Sequence, residues 1–320
     1  MKTVRAAIIG AGVVGERLFW KFNEHPNVEL VALCDPNVTR MKELQGKIEH
    51  PLKLYTDYKR LLEDHSIDLF YVGVPPKYHH PIAIDIMKKG KHILCEKPLA
   101  NSLDEAKEMM DMAKEMGVIN GMNFPVPYSD SFIELENRVK NGSIGTVQRV
   151  ELQMYFPVWP RSWQQNSWIA SREQGGFIRE ITPHYIQLIH RLFGDTKEVH
   201  SFVNYPENEE LCEKGFIANM TLENGIPILV NGLSGIGEKE SITFKIWGDK
   251  GTVALKNWAQ LEVGTFEEDP KEIHIERNNH QLELVHEFLK KLNGEEGYLV
   301  TFEDGYKVQK VLEKLLGNES

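Results

Sequence analysis

From residue 4 to residue 122, short apolar runs alternate with segments whose apolar positions recur at helical spacing. The runs fall at 4–9, 28–34, 67–74, 92–95 and 118–122, and each predicts a strand buried on both faces. Between them, 16–24, 81–89 and 102–116 predict helices. In the last of these Leu103, Ala106, Met109, Met110 and Ala113 share one face, and Gly117 stops the helix. This alternation predicts a doubly wound parallel sheet. After Asn123 the pattern changes. Single alternation of apolar and polar residues at 148–156, 197–205, 215–222, 227–233 and 241–247 predicts a large, mainly antiparallel sheet with one face covered. Helical spacing returns at 182–193, 280–292 and 303–316. The expected fold class is α/β, with domains at 1–122 and 123–320. No flexible linker separates them, so a tight interface that forms a cleft is expected.

The first run leads into Gly10-Ala11-Gly12-Val13-Val14-Gly15, and the second ends on Asp35. Strand, glycines, helix, second strand and acid stand in the order of a Rossmann dinucleotide site. Gly10 permits the turn off the strand, Gly12 lets backbone approach a pyrophosphate, and Gly15 lets the helix pack on the strand. The helix N-terminus faces the phosphate charge. Asp35 is placed to accept both adenosine ribose hydroxyls, and its charge repels a 2′-phosphate, which favours NAD. Arg40, nearby in sequence, opposes that preference and leaves NADP possible.

The 320 residues are 41% hydrophobic and 26% charged, enough for two sizeable cores. A net charge of -10 gives no reason to expect nucleic acid or an anionic membrane as partner. No apolar stretch approaches the ~20 residues that span a bilayer. The first strand starts at residue 4, so no signal peptide is expected. Cys34, Cys95 and Cys212 are few and scattered, and they read as reduced thiols of a cytoplasmic protein.

Six stretches carry a family likeness: GAGVVG at 10–15, VPPKYH at 74–79, GKHILCEKPLA at 90–100, GGFIREITPHYIQLIHRLFG at 175–194, GDKGTVAL at 248–255 and FEDGYKVQKVLEKLL at 302–316. Together they make a chain that resembles the Gfo/Idh/MocA oxidoreductases, the glucose-fructose oxidoreductase and inositol dehydrogenase group. The resemblance implies a Rossmann domain for NAD(P) and a second domain for substrate binding and oligomerisation. It also implies hydride transfer between nicotinamide and a secondary alcohol or ketone of a sugar, polyol or sugar derivative. Two alternatives stay open: a reductase of a C=N or conjugated C=C bond, and a catalytically silent NAD-binding regulator. Cofactor contacts are implied at Gly10, Gly12, Val13, Val14, Gly15, Asp35, Val74, Pro75, His79, Glu96, Lys97 and Asn123. In the family the arginine that often follows Asn123 has a role; here Phe124-Pro125 follows, and that role is not carried over.

Lys97 sits at the carboxyl end of a parallel strand, where open α/β sheets bind ligands. There it can polarise a carbonyl or take a hydroxyl proton. Glu96 is expected to hold the ammonium and touch the cofactor, and Pro98 to fix the turn. His79 and His80 read as loop residues beside the nicotinamide. Glu180 and His184 form a second pair, with His184 as proton carrier. The family has aspartate where Glu180 stands, which leaves the role of Glu180 open. Pro183 complicates the pair, because Thr182-Pro183 also reads as N-cap and first helical residue. Glu and His four apart can share a metal, but no third ligand is apparent, and none is expected. Tyr155 to Trp163, followed by Gln164, Gln165, Asn166 and Trp168, reads as a wall for a hydroxylated ring. Substrate contacts are expected at Lys97, Trp163, Arg161, Arg172, Glu180 and His184, with Arg179 adding positive charge. A homodimer or homotetramer through the uncovered face of the C-terminal sheet is expected.

Overall fold

The computed structural model describes residues 2–164 and 166–317; Gln165, part of the expected aromatic wall, lies outside them. The chain divides into two compact units. One comprises the residues up to Pro125 together with Gln281–Tyr306; the other comprises Val126–His280 and the residues from Lys307 onward.

In the first unit, β1 (Val4–Ile9), β2 (Val28–Cys34), β3 (Lys53–Tyr55), β4 (Leu69–Val72), β5 (His92–Cys95) and β6 (Asn120–Met122) form one parallel sheet. Its order is β3-β2-β1-β4-β5-β6. Helices α1 (Val13–Glu24), α2 (Val38–Gln45), α3 (Tyr58–Leu61), α4 (His79–Lys88) and α5 (Leu103–Met116) lie between the strands in sequence. The order reverses between β1 and β4, and the carboxyl ends of strands at such a switch point open a ligand crevice. Ala6, Ala7, Ile8 and Ile9 are all buried, the physical source of the continuous apolar run. Helix α1 buries Leu18, Phe19 and Phe22, each contributing roughly 1.5–3 kcal/mol. Helix α5 starts where Ser102 accepts the Glu105 N–H and stops at left-handed Gly117, as its pattern predicts.

The second unit holds α6 (Asp130–Lys140), β7 (Val147–Phe156), α7 (Phe177–Phe193), β8 (Thr196–Asn204), β9 (Gly215–Leu222), β10 (Pro227–Ser234), β11 (Ser241–Gly248), β12 (Gly251–Lys256), β13 (Gln260–Thr265) and β14 (Lys271–Ile273). The strands form one sheet, β14-β13-β12-β11-β7-β10-β9-β8, in which β7 and β10 run parallel and the other neighbours antiparallel. Val150, Leu152, Met154 and Phe156 of β7 and Phe244 and Ile246 of β11 bury one face. Tyr185 of α7 lies on Phe244 with ring centroids 5.6 Å apart. The opposite face carries Gln153, Thr243, Lys245 and Trp247, and on it Phe202 and Ile217 stand 72% and 62% exposed. The chain then returns to the first unit through α8 (His280–Leu292), and α9 (Phe302–Leu315) starts in that unit and ends in the second. Val300 accepts the Met122 N–H at 2.8 Å, next to β6. No helix among the described residues is long and apolar enough to cross a membrane.

Helix α7 begins at Phe177, not at Thr182, and continues through Pro183. Its N-cap, Gly176, has φ of +95° and no side chain to cap with. Glu213 takes that place from the loop before β9, accepting the Ile178 N–H at 2.7 Å. Proline removes one helical N–H, but the Thr182 hydroxyl donates to the Ile178 carbonyl at 2.5 Å and keeps that turn closed.

Candidate active site

The glycine turn of the first unit separates three reasons for being glycine. A Cβ on Gly10 would lie 2.2 Å from the Gly73 carbonyl oxygen, and its φ of +105° excludes most side chains. A Cβ on Gly15 would lie 1.9 Å from the Gly10 oxygen. Gly12 is different, because a Cβ there would meet nothing within 4 Å. The protein's own packing does not require that glycine, whereas a pyrophosphate approaching the backbone does. Gly12 also leaves the start of α1 without a side-chain cap, and Val13 and Val14 stand exposed beside it. Asp35 is fixed by two backbone donors, Ala11 N–H at 2.7 Å and Asn37 N–H at 2.8 Å. Each carboxylate oxygen keeps a lone pair for a ribose hydroxyl. Arg40 is tied down by Glu16, Glu43 and the Ala11 carbonyl.

Lys97 leaves the end of β5 beside a buried polar cluster. Glu96 is 7% exposed and accepts from the Tyr71 hydroxyl at 2.6 Å, from the Asn123 amide, and from the Lys97 backbone N–H at 3.3 Å. Burial raises its pKa, against the Tyr71 and Asn123 hydrogen bonds and the Lys97 charge. Glu96 is expected to hold the ammonium and touch the cofactor; its hydrogen bonds pin the strand end from within the protein. Asn123 holds Glu96 with its nitrogen, while its buried Oδ1 has no hydrogen-bond partner among the described residues. An acceptor so placed fits a donor of a bound ribose or amide. The residues present therefore fit a dinucleotide. His79 corrects an expectation. It opens α4 and is fully buried, with both ring nitrogens facing backbone carbonyls of Val74 and Pro98. The ring thus braces Val74, Pro75 and the Lys97 turn, and is closed to a nicotinamide.

In the second unit, α7 is continuous, so Glu180 and His184 share one face. The His184 ring stands edge-on to Trp258 at 5.3 Å, and Tyr185 packs on the same indole at 5.2 Å. Trp258 and its neighbour Asn257 have φ of 74° and 46°. Nothing in the sequence marks Trp258; only Asn257 is a recognisable turn residue. Tyr71 and Glu213 were equally unmarked. The expected aromatic wall is partly corrected. The Arg161 fork is bound by Glu240, with contacts of 2.7 and 3.0 Å, and lies over Phe156 and Trp159. That removes it as a ready anion receptor. Arg179 is buried and pairs with Glu313 at 3.5 Å. Arg172 is exposed and stacks on Tyr205 at 3.7 Å, and Trp163 is half exposed.

Glu213 yields a pH prediction. Burial pushes its pKa from 4.5 up to about 7, although the Ile178 and Phe177 N–H groups and Arg179 act in the opposite sense. Between those values the folded protein holds a proton that the unfolded chain has released. The contribution is therefore full below pH 4.5 and is lost as pH rises through about 7. Relative to Glu213→Gln, the wild type should lose about 3 kcal/mol across this window. Urea midpoints of both proteins near ~pH 4 and ~pH 8 measure it. Parallel curves would assign the dependence to another group.

Comparison with known proteins agrees with this geometry. The Gfo/Idh/MocA model described as an oxidoreductase family NAD-binding Rossmann fold matches residues 4–124. That of the family's C-terminal alpha/beta domain matches residues 136–316. The chain is 26% identical over 262 residues to the uncharacterized oxidoreductase YrbE of Bacillus subtilis, covering 80% of this chain and 74% of that one. It is 24% identical over 316 residues to myo-inositol 2-dehydrogenase of Thermotoga maritima, covering 94% and 92%. A solved levoglucosan dehydrogenase, in complex with NADH and L-sorbose, superposes with a TM-score of 0.86 at 19% identity, covering 99% and 97%. With both halves matched and the glycine turn and Lys97 strand end in place, this chain belongs to the Gfo/Idh/MocA family of NAD-binding oxidoreductases.

Proposed function

We propose that this protein is an NAD-dependent dehydrogenase of a secondary alcohol in a sugar, polyol or sugar derivative. The observation that carries the reading is the Lys97 strand end. A buried cluster of Glu96, Tyr71 and Asn123 fixes the backbone that presents this lysine, in the same unit as the glycine turn. Relatives named myo-inositol 2-dehydrogenase and levoglucosan dehydrogenase support the substrate class. Bound NAD supplies the hydride acceptor. Lys97 is assigned to the reacting oxygen, which it polarises as ammonium or relieves of its proton as amine. His184 is assigned the proton, Glu180 its orientation or a substrate hydroxyl, and Trp163 and Arg172 the substrate's far side. Arg161 is not carried forward, because Glu240 occupies its fork. A screen of sugars, inositols and nucleotide sugars with NAD and NADP, read as absorbance of reduced cofactor, tests the reading. NADH binding without turnover on any alcohol would favour a regulatory role.

NAD is preferred to NADP on this reading, because Asp35 holds its charge at the ribose and Arg40 is bound elsewhere. Asp35→Ser should shift the preference toward NADP by about one to two decades, at roughly 1.4 kcal/mol per decade. Paired fluorescence titrations with NADH and NADPH measure the shift. A wild type that binds NADPH better would sink the charge argument. The exposed Phe202 and Ile217 support association of copies through the second sheet, as a dimer or tetramer. Three buried free thiols support a reducing, cytoplasmic location.

A further inference from the structure

The tip between β12 and β13 breaks a local rule. The Ala259 N–H donates to the Lys256 carbonyl at 3.1 Å, and the two residues inside that turn, Asn257 and Trp258, have φ of 46° and 74°. Positive φ at both central positions is the signature of a type I′ turn, which favours asparagine followed by glycine. Asn257 fits. Trp258 does not, because a bulky side chain is strained there and persists only where its surroundings require it.

The tip is pinned from two sides. Asn257 donates its N–H to the Ile242 carbonyl of β11 at 2.9 Å and accepts the Ile242 N–H on Oδ1 at 3.0 Å. Ser131 of α6 donates its hydroxyl to the Ala259 carbonyl at 2.7 Å. So held, the indole lies against two consecutive residues of α7. Tyr185, fully buried on Phe244, meets it at 5.2 Å with 31° between the planes. His184, half-buried, meets it at 5.3 Å with 87° between the planes, a geometry in which aromatic rings attract edge to face. Tyr185 is locked in a close-packed core, so it sets the plane of the indole, and the indole sets that of the imidazole. Of the charged groups beside the tip, Lys256 pairs with Glu262 at 2.7 Å, and Glu180 is one turn earlier on the His184 face of α7.

We propose that Trp258 is a positioning residue: the pinned hairpin tip holds its indole across His184 and fixes the plane in which that imidazole carries a proton. The catalytic meaning rests on the dehydrogenase reading; the contact between the rings does not. Strain at a position that would otherwise take glycine is offset by this contact and the one with Tyr185.

The full chain tests this in two ways. Trp258→Gly gives the turn its preferred Asn-Gly pair, so it should melt cooperatively and bind NADH within about threefold of the wild type. Its turnover should fall about ten- to hundredfold, the scale of a misplaced catalytic group. Trp258→Phe, which keeps a ring at the site, should recover most of that loss. In a His184→Gln background, Trp258→Gly should cost less than about twofold more, because the indole acts through His184. Losses that multiply in the double variant, or full turnover by Trp258→Gly, overturn the proposal.

The second measurement needs no turnover. An imidazolium quenches an indole in contact with it, and the fluorescence difference between wild type and Trp258→Phe isolates the indole at 258. That difference should fall as His184 takes up its proton in acid, and the same difference in a His184→Gln background should show no step. A missing step, or one that survives in His184→Gln, overturns the proposal. If the wild type oxidises no alcohol, the dehydrogenase reading fails and this titration decides the proposal by itself. It also decides if Trp258→Gly fails to fold.

Discussion

Lys97→Ala should lower turnover by about two to four decades, the scale of a positioned acid–base group. NADH affinity should change by less than about threefold, or under roughly 0.7 kcal/mol. The separation follows from where each task sits. On the proposed reading, affinity derives from the open space over Gly12, the uncapped start of α1 and the Asp35 carboxylate. Lys97 stands at the end of a different strand, β5, held by the Glu96 cluster, which the substitution leaves intact. Steady-state rates with the alcohol found in the screen, alongside NADH titration of the same preparation, give both numbers. Near-normal turnover would remove Lys97 from the chemistry. Equal loss of binding and turnover would make it a cofactor anchor.

The glycine turn gives the second large effect, because two substitutions three residues apart should fail in different ways. Gly12→Ala should fold as the wild type does. Its backbone is extended, with φ of -68° and ψ of -172°, and the new methyl meets no protein atom within 4 Å. It fills space that the pyrophosphate needs, so NADH affinity should drop by about one to two decades, the 1–3 kcal/mol scale of overpacking. Gly15→Ala should fail before binding is in question. Its methyl would lie 1.9 Å from the Gly10 carbonyl oxygen, which is backbone and has no rotamer to yield. A loss of about 3 kcal/mol or more is expected. Thermal melts and NADH titration separate the two. Unchanged NADH binding by Gly12→Ala would show that the phosphates lie elsewhere.

Much of this was legible in the chain because its causes are local. Strands buried on both faces must be apolar throughout, so β1, β2, β4 and β5 are visible as runs. The turn at residues 10–15 and the acid at Asp35 are set by spacing along the chain, which no distant residue alters. The mainly antiparallel second sheet shows in single alternation, since one face is core and the other is not. Three-residue β3 and β14 escape such reading, being too short to establish a period. The parallel pairing of β7 with β10 escapes it too, because alternation reports faces and not neighbours.

Fold class, the NAD-binding turn, Asp35 and the Lys97 strand end were therefore determined by the sequence alone, each through contacts a few residues apart or through burial of a whole strand. Tertiary structure decided the rest. Helix α7 starts at Phe177 because Glu213, far along the chain, supplies the acceptor that Gly176 lacks. Arg161 turns inward because folding brings Glu240 to it. Residues 281–306 rejoin the first unit because Val300 bonds the end of β6, a pairing no local pattern encodes. His79 is a brace because the Val74 and Pro98 carbonyls converge on its ring. In each case a polar group left unmatched by its neighbours in sequence found its partner only in space, since burial without one would cost more than the fold could sustain.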